Sequence, residues 1–150
     1  MVRHRNSQTL TTSDYRALGK FRYQIRRFQH FSEMAARAED LEPQQHQMML
    51  AIRTWEEPDA PTVGDLAAHL LLKHHSVVGL IDRLAERGLV ERVRGESDRR
   101  NVRVHLTPEG FTKLERLSSV HREELRSSGP ILVNALGALL QGLTAAGRVN

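Results

Sequence analysis

The stretch from Val90 to Gly110, VERVRGESDRRNVRVHLTPEG, constrains the fold more than any other part of this chain. Val90–Arg94 and Val102–Leu106 set apolar against polar residues with the period of two expected of half-buried strands. Between them, Gly95-Glu96-Ser97-Asp98-Arg99-Arg100-Asn101 is a turn-forming loop with two arginines at its tip. Thr107 and Pro108 end the second strand and open a helix, the threonine suited to the cap and the proline to the first helical position. The expectation is a two-stranded ribbon with guanidinium groups at its tip, set among helices.

The rest of the pattern is helical. With Ser13 as its expected cap, Tyr15, Leu18, Phe21, Ile25 and Phe28 stripe a long helix running to about Ala38. Pro43 opens a second helix, whose apolar residues extend to Trp55, and a proline-bounded loop follows. Thr62-Val63-Gly64-Asp65 reads as a capping box ahead of a short third helix with Leu66, Ala67, Leu70 and Leu71 on its buried face. A fourth helix runs from about Lys73 to Arg87 and stops at Gly88, a left-handed cap. After the ribbon, Phe111, Leu114, Leu117 and Val120 stripe a fifth helix expected to end before Gly129-Pro130. Leu132, Leu136, Leu139, Leu140 and Leu143 stripe a sixth.

Composition narrows the function. At 150 residues, 39% hydrophobic and 27% charged, the chain suits one soluble domain with a real core. It holds no run of roughly 18 apolar residues and no apolar stretch behind its basic N-terminus, so neither a membrane span nor a secretory signal is expected. Without cysteine, disulfides, zinc ribbons and thiol redox sensing are excluded. A cytoplasmic location is the expectation. The net charge of +4 is unevenly spread. Residues 1–30 carry seven basic groups against Asp14, residues 31–60 seven acids against Arg37 and Arg53, and residues 83–103 seven arginines against four acids. Two basic regions flanking an acidic one suggest a positive side facing a polyanion.

The third and fourth helices, joined by few residues, have the spacing of a helix-turn-helix. Val77, Leu80, Ile81 and Leu84 share one face of the fourth, leaving His75, Gly79 and Asp82 on the opposite face beside Ser76, Val78 and Arg83. A small polar face of this kind can enter a major groove about 12 Å wide, and the helix N-terminus favours phosphate.

With these residues assembled, the chain resembles the MarR-type winged helix-turn-helix transcription regulators. The resemblance is carried by Leu66-Ala67 and Leu70, Ser76 to Leu84, Arg87-Gly88-Leu89-Val90-Glu91-Arg92, and above all Asp98-Arg99-Arg100 with Val102, Val104 and Leu106-Thr107-Pro108-Glu109-Gly110. The implied fold is mainly α with a small β-wing (α+β). A winged helix-turn-helix core at about 41–107 would lie between dimerisation helices at about 13–40 and 108–146, in a single domain spanning 1–150. The implied function is sequence-specific binding of double-stranded DNA by a homodimer on a pseudo-palindrome, as a repressor responsive to a small aromatic or phenolic effector.

The resemblance further implies that Asp98 and Arg100 brace the wing as an ion pair. Arg99, with Arg94 or Arg103, would reach the minor groove or its phosphates, a task that suits guanidinium. Gly79 departs from the family, which often has a longer side chain there pointing at DNA; readout from that position itself is then lost. His74 and His75 form an unusual pair at the start of the helix. The candidate DNA-contacting set is Thr62, Lys73, His74, His75, Ser76, Val78, Gly79, Arg83, Arg94, Asp98, Arg99, Arg100 and Arg103. Tyr23, Phe31, His46 and Met49, with Phe28 and Trp55, are of the type that lines an effector cleft, and equally of the type that fills a core.

Other readings are weaker. Adjacent helical residues diverge by 100°, so His74 and His75 do not readily share an ion; His30, Glu33 and His46 are the remaining candidates for a metal-responsive site, and no metal or cofactor is expected. There is no phosphate-binding glycine loop and no nucleophile–base set, which argues against an enzyme. A winged module that grips an acidic protein is the alternative to DNA.

Overall fold

The computed structural model describes residues 9–56, 58–96, 98 and 101–146, with side chains to residue 142. Five helices and one antiparallel ribbon follow in the order α1 (Thr12–Ala38), α2 (Pro43–Arg53), α3 (Val63–Leu70), α4 (His74–Glu86), β1 (Val90–Arg94), β2 (Val102–Leu106) and α5 (Pro108–Ala146). Both strands have the bounds their alternation predicts, and they pair in the register Val90↔Leu106 through Arg94↔Val102.

Two compact units divide the chain, residues 32–121 and the terminal segments 1–31 with 122–150. The larger unit has a continuous apolar core. Leu41, Met48, Met49 and Ile52 from the start of the unit and α2 meet Leu66 of α3 and Val77, Leu80, Ile81 and Leu84 of α4. Leu89, Val90, Val104, Leu114 and Leu117 close it from the ribbon and α5. All are less than 9% exposed, and each full burial of such a side chain contributes roughly 1.5–3 kcal/mol.

Caps set the helix boundaries. Thr62 and Asp65 exchange reciprocal bonds at the start of α3, the box read from the sequence. At the start of α2, with Pro43 in its first turn, the Glu42 N–H donates to Gln45 Oε1 at 2.9 Å. The first helix departs from expectation. Its cap is Thr11, whose backbone N–H donates to Asp14 Oδ2 and whose Oγ1 accepts from the Asp14 N–H, so Ser13 lies inside the helix. A capping box adds a return bond from the residue three positions on, and Asp14 supplies it to Thr11.

A second correction concerns the C-terminal third. Gly129-Pro130 does not end the fifth helix, and α5 runs unbroken to Ala146. Proline forgoes one i→i−4 bond and crowds one carbonyl, a local cost that neighbouring turns can absorb. In the terminal unit, Gln24, Arg27 and Phe28 of α1 and Glu124, Ser128 and Leu132 of α5 line one narrow crevice. Much of that unit's apolar surface remains open: Tyr15, Leu18, Ile131, Val133, Leu136 and Leu140 are all exposed. No helix among the described residues is long and apolar enough to cross a membrane.

Candidate nucleic-acid interface

The turn between α3 and α4 fixes how α4 is presented. Leu71 closes α3 in the left-handed region at φ 55°, its N–H reaching Ala67 and Ala68 carbonyls, and its side chain is 92% exposed. Leu72 returns to the core, and Lys73 caps α4. Because Val77, Leu80, Ile81 and Leu84 are buried, the opposite face is held outward. His74, His75, Asp82 and Arg83 are exposed on α4, while Ser76, Val78 and Gly79 are half-buried. At the other end, Arg87 gives way to Gly88 at φ 69°, and the chain turns into β1.

The ribbon is tied to this helix pair at several points. Asp82 on α4 and Arg92 on β1 form an ion pair, which also occupies the carboxylate on the outward face. Val104 N–H donates to Pro61 O at 2.9 Å, so the loop before α3 runs along the free edge of β2. Arg103 reinforces that seam: its guanidinium donates to Ala60 O at 2.8 Å and lies 3.6 Å from Asp59. The structure therefore places Arg103 on the chain's own loop rather than pointing outward with Arg94. The Thr62 hydroxyl is likewise engaged in its cap, accepting from Asp65 N–H and donating to Asp65 Oδ2. The Thr62 N–H and hydroxyl, with Arg103 nearby, hold the Asp65 carboxyl below the usual aspartate value.

The base of the ribbon depends on Gly110. Thr107 N–H donates to Leu89 O, and the Thr107 hydroxyl donates to Gly88 O while accepting from Gly110 N–H. This packs the first turn of α5 against the Gly88–Leu89 turn so closely that a Cβ on residue 110 would collide with the Leu89 carbonyl. The Leu-Thr-x-x-Gly pattern thus has a steric cause.

Among the described residues, the side chains of Lys73, His74, His75, Arg83 and Arg94 have no hydrogen-bond or ion-pair partner. They form a set of free cations and imidazoles along α4 and the wing. Asp98 lies in the wing loop, where its carbonyl accepts from Asn101 N–H. Arg99 and Arg100, expected at the tip, lie outside the described residues, as does the Asp98–Arg100 pair.

The effector candidates divide between the two units. Tyr23 and Phe31 belong to the terminal unit, while His46 and Met49 are sealed in the core of residues 32–121. Sequence reasoning did not foresee the setting of His46. Its ring lies 4.9 Å from that of His121, and its Nδ1 is buried without a partner among the described residues. Burial first, and His121 second, lower its pKa to about 4. His121 Nδ1 sits 2.8 Å from Leu117 O, which can only accept, so that nitrogen carries the proton; Nε2 lies 2.8 Å from Ser32 Oγ. No group of three His, Asp or Glu side chains able to hold a metal occurs among the described residues. An open groove of about 590 Å³ lies beside β2, with Arg53 stacked 5.3 Å over Phe111.

Residues 39–101 match the model of the MarR family. The chain is 40% identical over 65 residues to the HTH-type transcriptional regulator YsmB of Bacillus subtilis (strain 168), a match covering 43% of this chain and 44% of that protein. It therefore spans about half the length of such a curated relative. AbsC, a MarR family transcriptional regulator from Streptomyces coelicolor, shares the fold with a TM-score of 0.71 at 20% identity, over 96% of this chain and 100% of that one. A MepR mutant from S. aureus bound to an oligodeoxyribonucleotide superposes with a TM-score of 0.65 at 18% identity, covering 93% of this chain and 100% of that chain. Residues 39–101, which hold the helix-turn-helix and the first wing strand, are thus similar to the MarR family, and the chain has the fold of these solved regulators.

Proposed function

We propose that the protein is a transcription regulator, without catalytic activity of its own, that binds double-stranded DNA in the cytoplasm as a homodimer. The observation that carries this reading is the set of cationic and imidazole groups, without a partner among the described residues, on the exposed face of α4 and on the wing, where Asp82 is already paired with Arg92. Lys73, His74 and His75 at the N-terminus of α4 suit phosphate, where helix dipole and side chains act together. Ser76, Val78 and Arg83 suit base edges, and Arg94 with Arg99 and Arg100 suit the neighbouring minor groove. Arg103 and Thr62 support this surface from behind through their internal bonds.

The exposed apolar residues of the terminal segments support pairing of two copies through about 13–40 and 108–146. A twofold pair with recognition helices roughly 34 Å apart reads an inverted repeat. Repression, and its relief by a small aromatic effector, complete the proposal on the strength of the family resemblance.

Selection of bound duplexes from a random pool tests it. An enriched inverted repeat with half-sites about one helical turn apart is expected. A pool that enriches nothing, with binding indifferent to sequence, overturns the reading in favour of a module for acidic protein surfaces.

A further inference from the structure

We infer that Gly79 and Arg83 act together as a specificity element, with the Arg83 guanidinium occupying the space that a side chain at position 79 would fill and reading a guanine in the major groove. The inference rests on the DNA-binding reading above and goes beyond it by assigning the base and the residue. A Cβ built on Gly79 would meet Arg83 Nη1 at 3.4 Å, with nothing else within 4 Å. Residues 79 and 83 are one turn apart, and helical side chains lean toward the helix N-terminus, so Arg83 folds back along α4 over the bare backbone of Gly79.

His75, Gly79 and Arg83 form one i, i+4, i+8 ridge on the face opposite the buried stripe. Along that ridge Gly79 has no side chain of its own, and the Arg83 guanidinium lies over it. Among the described residues it has no hydrogen-bond or ion-pair partner, since the adjacent Asp82 is engaged by Arg92. Its donors are available to a ligand.

The chemistry selects guanine. A guanidinium offers two parallel donors, and in the major groove guanine alone presents O6 and N7 as adjacent acceptors. Gly79 adds a second effect: with no side chain beneath the guanidinium, the helix can approach the groove floor more closely than with a longer residue there. The apparent loss of readout at position 79 is thus recovered by the residue one turn later.

The test compares duplexes selected from a random pool by the wild-type protein, Arg83→Ala, Arg83→Lys and Gly79→Gln. All the substitutions are on the outward face, and glutamine is a better helix former than glycine, so folding is expected to persist and is checked by circular dichroism. The wild-type consensus is expected to hold one guanine per half-site whose replacement weakens binding roughly 10- to 100-fold. Arg83→Ala should abolish that preference and leave the other positions intact. Arg83→Lys should weaken it, and Gly79→Gln, by displacing the guanidinium, should erase or move it. Uniform weakening across all sequences by Arg83→Ala would show a phosphate contact and overturn the inference, as would an unchanged consensus. If the wild-type protein enriches no sequence at all, the DNA reading itself falls and this one with it.

Discussion

Replacing Gly110 with alanine is the sharpest structural perturbation this fold offers. An added Cβ would lie 2.9 Å from the Leu89 carbonyl carbon and closer still to its oxygen. Favourable carbon–carbon contact begins near ~3.5 Å, so the first turn of α5 must retreat by roughly 0.6 Å from the carbon alone. Three bonds hold that turn in place: Thr107 N–H to Leu89 O, Thr107 Oγ1 to Gly88 O, and the cap from Gly110 N–H to Thr107 Oγ1. Losing the cap costs about 1 kcal/mol, and each other bond a similar amount. Against this, alanine gains roughly 0.5–1 kcal/mol of helix propensity over glycine. The net expectation is a loss of about 2–2.5 kcal/mol, or roughly 4–10 °C in Tm for a chain of this size. Thermal melting followed at 222 nm measures it, with Gly64→Ala as control. There the nearest atom to an added Cβ is Thr62 Oγ1 at 3.8 Å, an ordinary contact, and no loss is expected. If Gly110→Ala melts within about 2 °C of the wild type, the close packing of α5 on Leu89 does not set the wing's position.

Two further predictions concern stability. The His46 pKa is about 4 in the folded chain against 6.5 ordinarily, so below pH 6.5 the unfolded chain takes up a proton that the folded one refuses. Stability should fall between pH 6.5 and 4 by on the order of 3 kcal/mol, and His46→Leu should flatten that part of the curve; urea titrations that show the same slope in both proteins would contradict it. Asp14 and Asp65, held down chiefly by the backbone N–H groups of Thr11 and Thr62, lose their contribution only below the ordinary value of 3.8, in a separate window. Leu71 adopts φ 55° while 92% exposed, so Leu71→Asn should relieve up to ~1 kcal/mol of left-handed strain with little burial lost; a lower midpoint in urea would refute the claim that this leucine is strained.

What the sequence revealed was what local chemistry decides. Val90–Arg94 and Val102–Leu106 were legible because alternation is a local signal, and Thr62-Val63-Gly64-Asp65 because both halves of a capping box lie within four residues. The outward face of α4 followed from its four buried apolar residues. Where two threonine-like caps competed, at Thr11 and Ser13, the position of Asp14 decided, and Pro130 ended nothing because helix continuation depends on more than one missing donor. Contacts across sequence were not legible. Arg103 meets Ala60 over 43 residues and His121 meets Ser32 over 89, and neither spacing leaves a local mark. The return of Arg83 over Gly79 was hidden for a different reason. A missing side chain reads as a missing contact until a neighbour is seen to fill its place.

The free cations of α4 and the wing are expected to meet a nucleic-acid backbone. Equilibrium binding of a fluorescent duplex between 50 and 200 mM salt tests it most directly, a range in which about six phosphate contacts per dimer produce a slope of log affinity on log salt near −5. That slope is expected for the wild-type protein, and one shallower by about 2 when Lys73→Ala removes one contact from each protomer. A slope near zero, or one that Lys73→Ala and Arg94→Ala together leave unchanged, would contradict it.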